Sequence, residues 1–259
     1  MFNISMKWAI RFAGFLSLIV IIGVLSHAQP NSPVSAGLIG YWSFDEDQGQ
    51  VAQDSSAFRH NGTLQNSPNW TNGHNNAALS FDGFDDHVLI PFNQRLDGLT
   101  SITISIWAFL DSNPDTTSGN DWRLLFGNAS EGSRPFGLIL EQNGKLSASV
   151  YVAEERQVIR TSVDDAFPLR DWVYITFSYN GTTGQMQLYL NDTLVVERNG
   201  NPGNIDSAPE EPFSISMKKP ASIEDVHAWP GLLDEVRLYN RVLSQSEILQ
   251  LYTNDLNRS

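Results

Sequence analysis

The segment SITISIWAFL, Ser101–Leu110, alternates with period two. Ile102, Ile104 and Ile106 fall on one side, and Ser101, Thr103 and Ser105 on the other. An extended chain sends successive side chains to opposite faces, so a run like this has one apolar face to bury against a second layer. The same period recurs in WVYITFSYN (172–180), which places Val173, Ile175, Phe177 and Tyr179 together. It recurs again in QMQLYLN (185–191), which places Met186, Leu188 and Leu190 together. LIGYWSF (38–44) is continuously apolar and aromatic. Asn180-Gly181-Thr182-Thr183-Gly184 and Asn191-Asp192 lie between such runs and predict hairpin turns. Many strands without βαβ alternation predict an all-β chain folded as a two-sheet antiparallel sandwich. One helix is expected, short and C-terminal. Ser244-Gln245-Ser246-Glu247 is a capping box, followed by the apolar stripe Ile248, Leu249, Leu251 and Tyr252.

The first 30 residues have a different character. Lys7 and Arg11 precede an apolar run from Ala13 to Leu25, and Ser26-His27-Ala28 supplies small residues at −3 and −1 of a cut after Ala28. That order is a secretory signal peptide, residues 1–28. The apolar run is shorter than the roughly 20 residues of a spanning helix, although an uncleaved anchor remains an alternative. A Pro- and Ser-bearing linker, 29–36, then leads into a domain expected over 37–253, with 254–259 as a tail. Removing Lys7 and Arg11 with the leader takes the formal charge from −13 to −15. So acidic a surface repels phosphate backbones, which argues against nucleic acid and is compatible with neutral glycans and divalent cations. The chain has no cysteine. An exported fold of this kind is held by its core, with thiolate metal sites and cysteine nucleophiles excluded. The expected location is secreted, periplasmic or cell-envelope.

Catalytic signatures are missing from the sequence. None of His27, His60, His74, His87 and His227 forms a His-x-x-x-His pair. No Gly-x-Ser-x-Gly elbow and no phosphate-cradling glycine loop occurs.

Five blocks in order carry a resemblance: GLIGYWSFDEDQG (37–49) with DSSAFRHNGTL (54–64), ALSFDGFDDHVLIP (78–91), SITISIWAF (101–109), WVYITFSYNGTTGQMQLYLNDTLV (172–195) and GLLDEVRLYNRVLSQSEI (231–248). Together they resemble the laminin-G-like, concanavalin A-like jelly-roll modules of secreted bacterial proteins. The resemblance implies a jelly-roll sandwich of about a dozen strands whose relatives bind carbohydrates, proteins or calcium. Two stretches depart from the family pattern: the long loop DSNPDTTSGNDW (111–122) and the charged insertion within PFSISMKKPASIEDVHAWPG (212–231). The Glu-x-Asp-x-x-Glu strand of some similar glycosidases is not found.

Asp234 and Glu235 are the adjacent carboxylates of the last block. In a regular strand they point to opposite faces and cannot flank one glycosidic bond. Asp234 would share the core face with Val236 and Leu238, and therefore needs hydrogen-bond donors or a cation. Glu235 and Arg237 would form a surface pair of little energetic worth. A hydrogen-bonded scaffold role for Asp234 is favoured, with calcium ligation beside it. In a jelly roll the first and last strands are neighbours, which makes Asp45 and Asp54 the candidate co-ligands of Ca2+. Asp82, Asp85 and Asp86 of FDGFDD read as a turn. Trp42, Trp107 and Trp172 read as core. Trp122 and Trp229, in the two atypical stretches, are the candidate sugar-stacking residues. The expected function is an exported, non-catalytic, carbohydrate-binding module with structural calcium. A protein-binding or adhesion module of the envelope is the alternative, and a glycan-cleaving enzyme comes third.

Overall fold

The computed structural model describes residues 34–112, 122–128, 135–162, 167–217 and 228–258. The expected leader, most of the linker and the middles of both atypical stretches lie outside these residues. The strands in chain order begin with β1 (Leu38–Trp42), β2 (Val51–Ala52), β3 (Gly62–Gln65), β4 (Asn69–Asn72), β5 (Ala77–Asp82) and β6 (His87–Ile90). The middle of the chain gives β7 (Ser101–Leu110), β8 (Trp122–Asn128), β9 (Phe136–Glu141), β10 (Leu146–Val152) and β11 (Glu155–Arg160). The last are β12 (Trp172–Asn180), β13 (Gln185–Leu190), β14 (Thr193–Asn199), β15 (Phe213–Ile215) and β16 (Pro230–Tyr239), and then the helix α1 (Gln245–Leu256).

The strands form two antiparallel sheets of eight. One runs β14-β13-β12-β7-β16-β5-β4, with β1 paired to β16, and the other runs β11-β10-β9-β8-β15-β6-β3-β2. The alternation read from the sequence is realised in this sandwich. Ile102, Ile104 and Ile106 pair across β12 with Tyr179, Phe177 and Ile175, and all six sit in the core between the sheets. Asn180–Gly184 makes the β12–β13 hairpin.

A second apolar cluster lies on the outer face of the first sheet. Trp107, Tyr174, Tyr189 and Tyr239 are covered there by Leu243, Ile248 and Leu251. Helix α1 begins as the sequence predicts. Ser244 accepts from the Glu247 amide, and Glu247 accepts from the Ser244 amide. Residues outside the expected 37–253 bounds pack on the domain at both ends. Val34 joins the outer cluster, its carbonyl accepts from Tyr239 Oη, and the Ala36 carbonyl accepts from Arg241. Asp255, expected in a tail, is buried in α1.

Arg241 and the capping box hold the Glu247 carboxyl down from 4.5 to about 2. A depressed folded-state value contributes stability above the ordinary glutamate range that is lost as pH falls through about 2. Ser244→Ala is expected to cost about 1 kcal/mol in urea unfolding at pH 7. Glu247→Gln should also destabilise at pH 7, and its penalty should shrink as pH is lowered toward 2.

Candidate functional site

Strand β16 changes neighbours halfway along. On one side it stays paired with β7 throughout. On the other it pairs with β5 over Pro230–Leu233 and with β1 over Val236–Tyr239. At the exchange the register against β7 slips: Asp234 opposes Trp107 but Arg237 opposes Ser105. Glu235 absorbs the extra residue in the left-handed region, φ 53°. This is a β-bulge, and it corrects the side-chain assignment made from strict alternation. Asp234, Glu235 and Arg237 all leave the strand on the outer face, while Val236 and Leu238 fill the core.

Helix α1 covers this face, so the Glu235–Arg237 pair is buried and not a surface contact; Glu235 is 0% and Arg237 5% exposed. Arg237 makes a two-pronged contact with Asp255, Nη1 to Oδ2 at 2.9 Å and Nη2 to Oδ1 at 3.0 Å. Its Nη2 also donates to Glu235. Its guanidinium lies 4.6 Å from the centre of the Tyr41 ring, and Tyr41 donates to Glu235 at 2.7 Å. Trp107 donates to Asp255 at 3.1 Å. Burial alone would lower Arg237, but Glu235 and Asp255 hold it well above its ordinary range. Burial pushes Glu235 upward despite the guanidinium beside it.

Asp234 sits where β5 gives way to β1. The β4–β5 turn fills this gap, and the Asn75 amide donates to Asp234 Oδ2 at 2.9 Å. Asp234 Oδ1 is buried with no hydrogen-bond partner, as are both side-chain amide atoms of Asn75 and Oε2 of Glu46. Burial first, then the charges of Glu235 and Asp45, push the Asp234 carboxyl up to about 8, against the Asn75 and Glu235 amides. Gly73 shows how tight the turn is. A Cβ there would stand 2.5 Å from the Ala77 carbonyl oxygen and 2.7 Å from Asp234 Oδ2. Asp45 reaches the same turn and accepts from the Ala77 amide at 3.5 Å.

The structure thus brings Asp45 and Asp234 to one turn and adds Asn75, which carries no charge pattern and was missed in the sequence. Asp54 has a different task. It is fully buried and accepts from the amides of Tyr41, Ser56 and His60 and from Ser56 Oγ, so it folds the 54–61 loop. Asp82 Oδ1 accepts from the amides of Phe84, Asp85 and Asp86, which is the turn read from the sequence. Trp229 is not a sugar platform: it is 0% exposed, packs edge-on to Phe167 and donates to the Phe109 carbonyl at 3.1 Å. Trp122 is half-buried at the start of β8. Trp172, read as core, is also half-buried, on the outer face.

Residues 81–249, well over half of the chain, match the family model for the concanavalin A-like lectin/glucanases superfamily. The chain belongs to this superfamily. No curated protein matches it in sequence. Solved structures resemble this superfamily member in fold. The binding domain of Paraclostridial Mosquitocidal Protein 1 is 17% identical with a TM-score of 0.68, over 85% of this chain and 52% of that one. Domain 4 of AbnA, an extracellular arabinanase from Geobacillus stearothermophilus, in complex with arabinotriose, is 17% identical with a TM-score of 0.60, over 83% of this chain and 98% of that one. A mutant Trypanosoma rangeli sialidase displaying trans-sialidase activity is 18% identical with a TM-score of 0.61, over 87% of this chain and 34% of that one. The chain therefore spans about half of the mosquitocidal protein's binding domain, about a third of the sialidase and nearly all of the arabinanase domain.

Removing one member of a buried charge group leaves the others unpaired. Arg237→Met is expected to lower stability by about 3–5 kcal/mol in denaturant unfolding. Arg237→Lys should recover only part of this, because an ammonium cannot make the two-pronged contact with Asp255.

Proposed function

We propose that the protein is an exported, non-catalytic carbohydrate-binding module whose β4–β5 turn is held by a calcium ion. The observation that carries the non-catalytic part is the complete burial of Asp234 and Glu235. Their shared face satisfies the first requirement of a carboxylate pair, but the turn and α1 keep substrate away from both. The binding part is supported by superfamily membership, by a fold neighbour named as a binding domain, and by the arabinanase domain, which was solved in complex with arabinotriose and is matched over nearly its whole length. The leader pattern Lys7–Ala28 supports export. A glycan array probed with the purified protein tests this reading. Saturable binding to a defined saccharide, with no reducing ends released, is expected. Release of reducing ends would overturn the non-catalytic assignment, and saturable binding only to an envelope protein would overturn the carbohydrate one.

The residues at the β4–β5 turn fit a calcium ion. Ca2+ takes six to eight oxygens, commonly mixing carboxylate, amide and backbone carbonyl donors. Asp234, Asp45 and the Asn75 side-chain carbonyl would hold the ion. Two of these bring buried oxygens that are otherwise unpartnered. The ion would supply positive charge to a carboxylate that burial otherwise drives toward its neutral form. An ion bound only by the folded state raises stability by mass action. Calcium added after EDTA treatment is expected to raise the thermal unfolding midpoint, and Asp234→Asn and Asn75→Ala should abolish that rise. No change in the wild-type midpoint would rule the ion out.

A further inference from the structure

Among the described residues, one end of the outer face of the first sheet is left open. Helix α1 and Val34 cover the far end, around Tyr239, and the β4–β5 turn covers the middle, where His74 stacks on Trp107 with ring centroids 3.5 Å apart. Beyond the turn lies a single register row. Trp172 of β12 opposes Phe109 of β7, Phe109 opposes Leu232 of β16, Leu232 opposes Ser80 of β5, and Ser80 opposes Asn69 of β4. Val173, Ala108, Leu110, Leu233, Leu79 and Phe81 beside them fill the core and Trp70 packs against it, so all five stand on the same outer face. Asn69 is exposed and the other four are half-exposed.

The row has a consistent chemistry from end to end. Trp172 is held from two sides, 5.6 Å from Phe109 and 5.8 Å from His74 between ring centroids, so its indole is fixed before any ligand arrives. Leu232 continues the apolar surface, and Ser80 and Asn69 end it with a hydroxyl and an amide. Gly231 lets β16 press close to β7 at this point: at φ 150°, a Cβ there would stand 2.1 Å from the Phe109 carbonyl oxygen. Strands lie about 4.8 Å apart, so five strands give a strip of roughly 19 Å with a side chain at each step. The border is acidic and exposed, with Asp82, Asp111 and Asp171.

We propose that the Trp172–Phe109–Leu232–Ser80–Asn69 row is a platform for a neutral saccharide chain lying across the strands. The platform deepens the carbohydrate reading above and rests on it. The apolar faces of one or two sugar rings stack on Trp172 and Phe109, the contact that pre-fixed aromatic rings make at low entropic cost. Ser80 and Asn69 hydrogen-bond the hydroxyls of the next rings. The acidic border disfavours uronic acid polymers and other anionic chains.

Affinity electrophoresis of the purified protein through gels holding arabinan, mixed-linkage β-glucan, galactomannan or polygalacturonate tests this. The variants are Trp172→Ala, Ser80→Arg, which blocks the row without removing any packing, and Val51→Ala, at an exposed residue of β2, as a control on the other sheet. At least one neutral polysaccharide should retard the wild type and polygalacturonate should not. Trp172→Ala and Ser80→Arg should each weaken binding about tenfold or more, the scale of one lost aromatic contact, with the thermal midpoint of Ser80→Arg unchanged and Val51→Ala binding normally. Retention of wild-type affinity by both row variants would overturn the platform while leaving carbohydrate binding standing at another surface. Retardation by polygalacturonate alone would overturn the neutral-ligand assignment. Retardation by none of the four would overturn the platform together with the carbohydrate reading.

Discussion

The contact between Arg237 and Asp255 organises much of what surrounds it. It joins the last strand to the last helix across the outer face of one sheet. Arg237 stands on the outer face opposite Ser105 of β7, within reach of Asp255. The helix it anchors buries Trp107, Tyr174 and Tyr239, whose large rings would otherwise face water. Burying a guanidinium is expensive, and the local geometry offsets this with a two-pronged carboxylate contact, a second carboxylate and an aromatic ring. The same arrangement makes the site intolerant of partial removal. A buried pair adds little over well-packed apolar groups, yet a buried charge without its partner is strongly destabilising.

Much of the fold was legible in the sequence, and the limits of that legibility are physical. Period two is a backbone property, so SITISIWAFL and WVYITFSYN predict both their strands and their inward faces. The Ser244–Glu247 box depends on contacts within four residues, so it too can be read directly. The bulge depends on a distant fact, the replacement of β5 by β1 beside β16, and no residue near Glu235 announces it. One extra residue brought Asp234 onto the face of Glu235 and Arg237, and helix α1 covers that face, so the expected surface pair is buried. Asp45 beside Asp234 was accessible because jelly-roll topology sets the first strand against the last. Asn75 was not, since an uncharged residue in a turn gives no signal of a buried role.

The tryptophans show the same division. Strand membership suggested that Trp172 was core, and an atypical loop context suggested that Trp229 was exposed. Both inferences use sequence position as a proxy for burial. The described residues cover the outer face of this sheet only in part, and the strand residue Trp172 stands half-buried at the end they leave uncovered. Trp229, in contrast, enters the core just before β16 begins, with its indole N–H satisfied by the Phe109 carbonyl. Which face of a sheet receives a helix, and how far that helix reaches, decides exposure more than the strand itself does.

The outer face also has an uneven charge balance. Three carboxylates, Asp234, Glu235 and Asp255, lie buried there with Arg237 as their buried guanidinium. Arg237 touches Glu235 and Asp255, but its hydrogen bonds do not extend to Asp234. Asp234 is left with two options: a proton, which its raised pKa favours, or a cation. The choice has a mechanical consequence, because the turn bonded to Asp234 through Asn75 also carries His74, and His74 packs against both Trp107 and Trp172. Whatever neutralises Asp234 therefore sets the position of the ring that steadies Trp172. A proton satisfies one oxygen, whereas a cation would draw Asp45, Asn75 and Asp234 together and fix the whole turn. The scaffold charge, the turn and the open aromatic row are consecutive links on one face, and the row's rigidity follows from how the first of them is balanced.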